Sequence, residues 1–155
     1  MYISGSVDLQ LIGEAAWKER IRMIHGLGHD IIEIERVNKL LHDHIGVRFI
    51  ARILTEREQA VYATKGGRQV EFAAGRFAAK EAIVKAFGTG IGEVISFQDI
   101  EILPDQLGKP IARLSKAAWK RLGLSSREYR IHLSISHQPS IASAQAIVEW
   151  RTSDT

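Results

Sequence analysis

The stretch Phe72-Ala73-Ala74-Gly75-Arg76-Phe77-Ala78-Ala79-Lys80-Glu81-Ala82-Ile83-Val84-Lys85-Ala86-Phe87 decides how this chain folds. Its alanines favour helix, and Phe, Ile and Val recur at helical spacing, so it predicts a largely buried helix. Glu81 comes one turn after Phe77 and three residues before Val84, which places a carboxylate on the apolar stripe. A carboxylate there is compensated by a metal, a cation or several hydrogen bonds. Alternatively it reaches solvent from the edge of the stripe, or pairs with Lys85 one turn on.

Upstream, Ile24-His25-Gly26-Leu27-Gly28-His29-Asp30-Ile31-Ile32 predicts a strand with two glycines where something approaches the backbone closely. A helix from Glu33 to about His42 follows, with Ile34, Val37, Leu40 and Leu41 inward, then a short helical stretch from Val47 to Leu54. Thr55-Glu56-Arg57-Glu58 matches a capping box for a helix ending near Gly66-Gly67. Downstream, Gly88-Thr89-Gly90-Ile91-Gly92 breaks regular structure. Phe97 to Leu103 and Pro110 to Leu114 predict strands joined by a turn-rich connection, and Ser115 caps a short helix ending at Gly123. Ile131, Leu133 and Ile135 alternate with polar residues, and Ile141 to Val148 follows His137-Gln138-Pro139-Ser140, giving strand-turn-strand. The fold class is therefore α+β, an antiparallel sheet packed on a central helix. Residues 1–22 stand apart, with some apolar character from Val7 to Ile12 and a possible helical turn or two from Ala15 to Ile21.

The 155 residues are enough for one well-buried domain and too few for two ordinary ones. With 45% hydrophobic and 25% charged residues the composition is that of a globular protein. No apolar run is long enough to span a bilayer, and there is no secretory-type start. The absence of cysteine excludes disulfides, thiolate metal sites and a cysteine nucleophile, and permits a cytoplasmic setting. The net charge of +3 suits an acidic or phosphorylated partner but does not require one.

Asp30 ends the first strand. If that strand packs on the central helix, Asp30 and Glu81 meet as the carboxylate pair that Mg²⁺ prefers, with waters and phosphate oxygens completing its shell; otherwise Asp30 is a strand-end or turn residue. Arg76, Lys80, Lys85 and the glycines from Gly88 to Gly92 suit phosphate binding, or form a solvated basic face and a helix cap. The pattern is not a Walker A loop, because Gly-Lys-Ser/Thr is missing and the glycines follow the helix. His137 closes its strand at a turn, where it can bond a phosphate, move a proton or simply face solvent. No Gly-x-Ser-x-Gly elbow or metalloprotease histidine pair is present.

The spaced set Gly26 to Ile34, Arg48 to Thr55, Phe72 to Gly92, Gly108-Lys109-Pro110 and His132 to His137 closely resembles the holo-[acyl-carrier-protein] synthase family of bacterial 4′-phosphopantetheinyl transferases. The resemblance runs from Met23 to about Trp150, and Gly75-Arg76-Phe77-Ala78-Ala79-Lys80-Glu81-Ala82 is its most specific part. His29 departs from the apolar residue the family usually carries there; little effect is expected, since Asp30 is present. The resemblance implies one domain over residues 23–155, with 1–22 outside it as an upstream extension or a cloning remnant.

It further implies transfer of the 4′-phosphopantetheine arm of coenzyme A to a serine of acyl carrier protein, with adenosine 3′,5′-bisphosphate as the other product. Asp30 and Glu81 would hold Mg²⁺, with Glu81 directly, Glu81 through a bound water, or His137 as base. Lys85 would reach the coenzyme A phosphates and His137 the pyrophosphate. Arg76, Gly88, Gly90, Gly108, Lys109 and Pro110 would line the nucleotide end, with Arg68 for the 3′-phosphate. Arg36, Arg48 and Arg52, with Phe49 and Ile53 between them, would dock the acidic carrier. The implied assembly is a cytoplasmic homotrimer with sites between subunits. A broader-range phosphopantetheinyl transferase is usually twice this length, a nucleic-acid module needs a Lys/Arg stripe with exposed aromatics that is missing here, and a dead coenzyme A binder would not need both carboxylates.

Overall fold

The main sheet joins an early strand to a late hairpin. A computed structural model describes residues 24–151; the readings made above for residues 1–22 lie outside this range. In chain order the elements are β1 (Ile24–Glu33), α1 (Ile34–His42), α2 (Gly46–Ile53), α3 (Glu56–Ala63), α4 (Gln69–Ala86), β2 (Ile100–Pro104), β3 (Pro110–Leu114), α5 (Lys116–Leu122), β4 (Tyr129–His137) and β5 (Ile141–Trp150). β5 lies between β1 and β4 in an antiparallel sheet, while β2 and β3 pair separately. This is the α+β arrangement expected, an antiparallel sheet on a central helix.

The central helix is α4, and its alanines explain how closely it lies on the sheet. Ala73, Ala74, Ala78, Ala79 and Ala82 have no exposure, and Ile83 and Val84 fill the core beside them. The two glycines of β1 are where the helix backbone comes down. A Cβ added to Gly28 would sit 1.8 Å from the Ala82 carbonyl oxygen, and one on Gly26 would sit 1.9 Å from that of Ala86. Near the other end, a Cβ on Gly75 would come 3.1 Å from Ile135 of β4. The helix therefore crosses the sheet diagonally, from β4 to β1.

The capping box forms as expected: Thr55 N donates to Glu58 Oε2 at 2.8 Å and Glu58 N to Thr55 Oγ1 at 3.3 Å. Ser115 Oγ accepts from Ala118 N, and Gly123 ends α5 with φ of +67°. Two segments expected within regular elements are 3₁₀ turns instead. α3 stops at Ala63, and Gly66–Arg68 forms a separate 3₁₀ turn that leads into α4. Phe97–Asp99 is a 3₁₀ turn, not strand, because Asp99 Oδ2 accepts from both Ser96 N and Ser96 Oγ and so closes the chain on itself.

The face of the three-stranded sheet away from α4 leaves Leu27, Ile31 and Ile147 exposed. On this face His29 Nε2 meets Ser143 Oγ at 3.0 Å. No helix among the described residues is long and apolar enough to cross a membrane.

Candidate active site

Strand alternation points Asp30 to the same side as Gly28 and Ile32, toward α4. Glu81 precedes Ala82, the residue seated on Gly28, so both carboxylates reach one cleft of about 350 Å³, lined also by Ile31, Ile32, Glu33, Arg36 and Phe77. Lys85, one turn beyond Glu81, donates to Asp30 Oδ1 at 2.8 Å and to the His29 carbonyl at 3.1 Å. Partial burial pushes the Glu81 carboxyl above its ordinary range, the nearby Asp30 adds to the rise, and Lys85 opposes it. The hydrogen bond to Asp30 raises the Lys85 ammonium in turn. Glu81 is thus neither free at the edge of the stripe nor bonded to Lys85; it is one of two crowded carboxylates.

Such a pair suits a divalent cation. Among the described residues no three or more His, Cys, Asp and Glu gather as a complete cage. Two carboxylates with open space beside them fit instead the kind of site in which a hard cation such as Mg²⁺ takes one or two carboxylates and fills its shell with water and phosphate oxygens.

A second cleft, of about 310 Å³, lies where α4 begins and β4 ends. Lys65, Arg68, Arg76, Gly108, Pro110 and His137 line it, together with Phe72 and Glu71. The Arg76 guanidinium lies 4.4 Å from the Phe72 ring centre, and its Nε donates to the Ile102 carbonyl at 3.1 Å. His137 Nδ1 is 3.9 Å from Glu71 Oε2. Gly108 holds φ at +86° in the turn where Asp105 Oδ1 accepts from Lys109 N, so the tight Gly108-Lys109-Pro110 bend needs its glycine. Lys109 is exposed just outside this cleft, and Gly88 and Gly90 line neither cleft.

The two clefts share no lining residue. His137 pairs with Ala142 of β5, which pairs with Ile32 of β1, so β5 separates His137 from the Asp30 strand. Two strand spacings amount to about 10 Å. One chain brings Asp30, Glu81 and Lys85 together, and Arg68, Arg76 and His137 together, without joining the two groups.

Arg36 is exposed on α1 at the mouth of the carboxylate cleft. Arg48 and Arg52 are exposed one turn apart on α2, and between them Phe49 stacks on Phe77, at 6.3 Å between centres, and through it adjoins that cleft. Ile53, expected at the centre of a docking surface, is core instead, with 1% exposure. Lys80 also departs from the sequence reading. It is neither a phosphate-facing cation nor a solvated one, but is fully buried against Glu58, which the sequence marked only as a capping residue.

A strand-borne aspartate beside a helix-borne glutamate, with a separate basic cleft, suits an enzyme that handles anionic phosphate esters. Residues 26–144 match the 4′-phosphopantetheinyl transferase superfamily. Holo-[acyl-carrier-protein] synthase of Bacillus cytotoxicus is 51% identical over 128 residues, covering 82% of this chain and 97% of that protein. That of Bacillus cereus is 49% identical over the same shares. Among solved structures, the Bacillus anthracis holo-(acyl-carrier-protein) synthase in complex with coenzyme A (3′,5′-ADP) has a TM-score of 0.70 at 48% identity, covering 83% of this chain and 99% of that one. The Helicobacter pylori enzyme in complex with coenzyme A has a TM-score of 0.68 at 32% identity, covering 79% and 98%. The chain belongs to the holo-[acyl-carrier-protein] synthase family, enzymes of the 4′-phosphopantetheinyl transferase superfamily.

Proposed function

We propose that this enzyme moves the 4′-phosphopantetheine arm of coenzyme A onto a serine of apo-acyl carrier protein in an Mg²⁺-dependent reaction that releases adenosine 3′,5′-bisphosphate. It does so in the cytoplasm, in the service of fatty-acid synthesis. The observation that carries this reading is the Asp30–Glu81 pair in one cleft, with Arg36 at its mouth and Lys85 beside it.

Asp30 and Glu81 would hold Mg²⁺, which would supply neutralisation of phosphate charge. Lys85 swings from Asp30 to a phosphate oxygen and supplies a further positive charge there. The serine hydroxyl attacks the phosphorus of the pantetheine phosphate, the bond to the bridging oxygen breaks, and the bisphosphate leaves. Glu81, directly or through a water, is placed to take the serine proton, with His137 as the other candidate base. Arg68 and Arg76 hold the nucleotide end, with Gly108, Lys109 and Pro110 around it, His137 on the pyrophosphate and the Gly88–Gly90 bend at its edge. Arg36, Arg48 and Arg52, with Phe49, receive the acidic carrier.

The protein works as a homotrimer in which the carboxylate cleft of one subunit faces the basic cleft of the next. The separation of the two clefts within one chain supports this, and so do Leu27, Ile31 and Ile147, which leave an apolar sheet face to be covered by association. Mixing two inactive variants tests the shared site. Glu81→Gln and Arg68→Ala, unfolded and refolded together, are expected to recover part of the activity that each lacks alone, because some mixed interfaces carry both intact halves. Light scattering should give a trimer. Mixed assemblies with no recovered activity, or an active monomer, would refute the shared site.

A further inference from the structure

Glu58 and Lys80 are, among the described residues, the two charged side chains with no exposure, and neither lines the carboxylate cleft or the basic cleft. Lys80 Nζ donates to the Ile53 carbonyl at 2.6 Å, to Glu58 Oε2 at 2.7 Å and to the Phe97 carbonyl at 3.0 Å. An ammonium has three donors, so none remains for a phosphate. Glu58 Oε2 also accepts from Thr55 N at 2.8 Å, while Oε1 accepts from Ile102 N at 3.1 Å and lies 3.8 Å from Arg76 Nε. The pair thereby fastens α4 to the end of α2, the start of α3, the Phe97 turn and β2.

Its place along α4 gives this fastening a consequence. Arg76 stands one turn before Lys80 and walls the basic cleft; Glu81 follows Lys80 immediately, about 100° further round the helix, and faces Asp30. Much of the helix surface against the sheet is alanine, and apolar contact between small side chains is non-directional, so it sets the rotation of α4 weakly. Charge-assisted hydrogen bonds to fixed carbonyls are directional. Stability alone does not account for the pair, since an apolar pair of similar volume is often no less stable than a buried ion pair.

We propose that the buried Glu58–Lys80 pair is a positioning device that sets the rotation and axial placement of α4, and so aims Arg76 into the basic cleft and Glu81 at Asp30 together. This rests on the reading of those clefts as the coenzyme A and metal half-sites. Lys80 then acts through Arg76 and Glu81 and never touches substrate.

Glu58→Gln, Lys80→Met and the double variant test it, with coenzyme A affinity measured by calorimetry without metal and the Mg²⁺ concentration for half-maximal transfer measured separately. The double variant carries no unpaired charge at the pair itself, leaves Arg76 without its Glu58 neighbour at 3.8 Å, and is expected to melt within a few degrees of wild type. It should weaken coenzyme A binding and raise the Mg²⁺ requirement by about tenfold each, the scale of a sub-ångström misplacement. Glu58→Gln should shift both in the same direction. A folded double variant with wild-type affinity and Mg²⁺ dependence would overturn the proposal. So would a normal Glu58→Gln beside a Lys80→Met that loses only coenzyme A binding, the pattern of a direct ligand. Should the variants not fold, labelling of amines in the native protein with acetic anhydride decides: Lys80 stays unmodified with or without coenzyme A while exposed Lys85 reacts, and a Lys80 that reacts unless coenzyme A is present refutes the assignment. A wild-type enzyme lacking both coenzyme A binding and Mg²⁺ dependence would instead count against the functional reading, and the labelling result would still stand.

Discussion

Gly28→Ala puts one methyl group where the fold leaves no room for it. The new Cβ would lie 1.8 Å from the Ala82 carbonyl oxygen and 2.7 Å from Ala86 N, whereas ordinary contact begins at 3.4 Å. The shortfall at the oxygen is about 1.6 Å, and the obstructing atoms are backbone of the last turn of α4 that no rotamer change can move. α4 and β1 must therefore part by on the order of 1 Å at that point. Overpacking of a tight core costs about 1–3 kcal/mol, and a backbone obstruction belongs at or above the top of that range. For a chain of this size about 3 kcal/mol corresponds to a fall in Tm of roughly 10 °C. The same parting separates Glu81 and Lys85 on α4 from Asp30 on β1, and a misplacement of about 1 Å costs on the order of 10²-fold in rate. Thermal melting by circular dichroism and kcat/KM for transfer measure the two effects. Gly67→Ala is the control, since a Cβ there meets nothing within 4 Å. If Gly28→Ala melts and turns over like Gly67→Ala, the close crossing of α4 over β1 is not what aligns the site.

Asp30→Asn and Glu81→Gln should each abolish Mg²⁺-dependent transfer with the fold retained, as read by turnover at low Mg²⁺ and by circular dichroism; near-normal turnover in either variant removes that residue from the metal site. The raised Glu81 carboxyl also fixes a sign: its stability contribution is most favourable below the ordinary Glu range and is lost as pH rises through the higher folded-state value. In metal-free buffer Glu81→Gln should therefore melt above wild type at neutral pH, with the difference shrinking on acidification, and a variant less stable there at pH 7 would contradict this. Arg36→Glu and Arg48→Glu should raise KM for carrier protein far more than for coenzyme A, and the wild-type rate should fall with salt; an unchanged carrier KM in both variants would place docking elsewhere.

The sequence showed most where chemistry and packing meet locally. Gly26 and Gly28 in a strand pattern announced a close backbone approach, and the approaching element is the alanine-rich helix that the same reading placed at the core. Thr55 and Glu58 announced a cap through their three-residue spacing, and Ser115 and Gly123 marked both ends of α5. Glu81 announced itself as a carboxylate out of place on an apolar stripe. What stayed hidden depends on long-range neighbours. The other partners of Glu58, Lys80 and Ile102 N, lie 22 and 44 residues away, so its second role leaves no local pattern. Lys80 and Arg76 are one turn apart and look like a basic face, until α2 and α3 cover that side of the helix. Ile53 looks like the apolar centre of a basic patch, but the same covering puts it in the core. The capping box of Ser96 and Asp99 shortened a predicted strand because its polar side chains close a turn that the apolar pattern does not register.

The most direct measurement is the intact mass of a carrier protein after incubation of its apo form with coenzyme A, Mg²⁺ and the enzyme. A gain of one phosphopantetheine arm on a single serine is expected with wild type and none with Glu81→Gln; no gain with the folded wild-type enzyme would contradict phosphopantetheinyl transfer at this site.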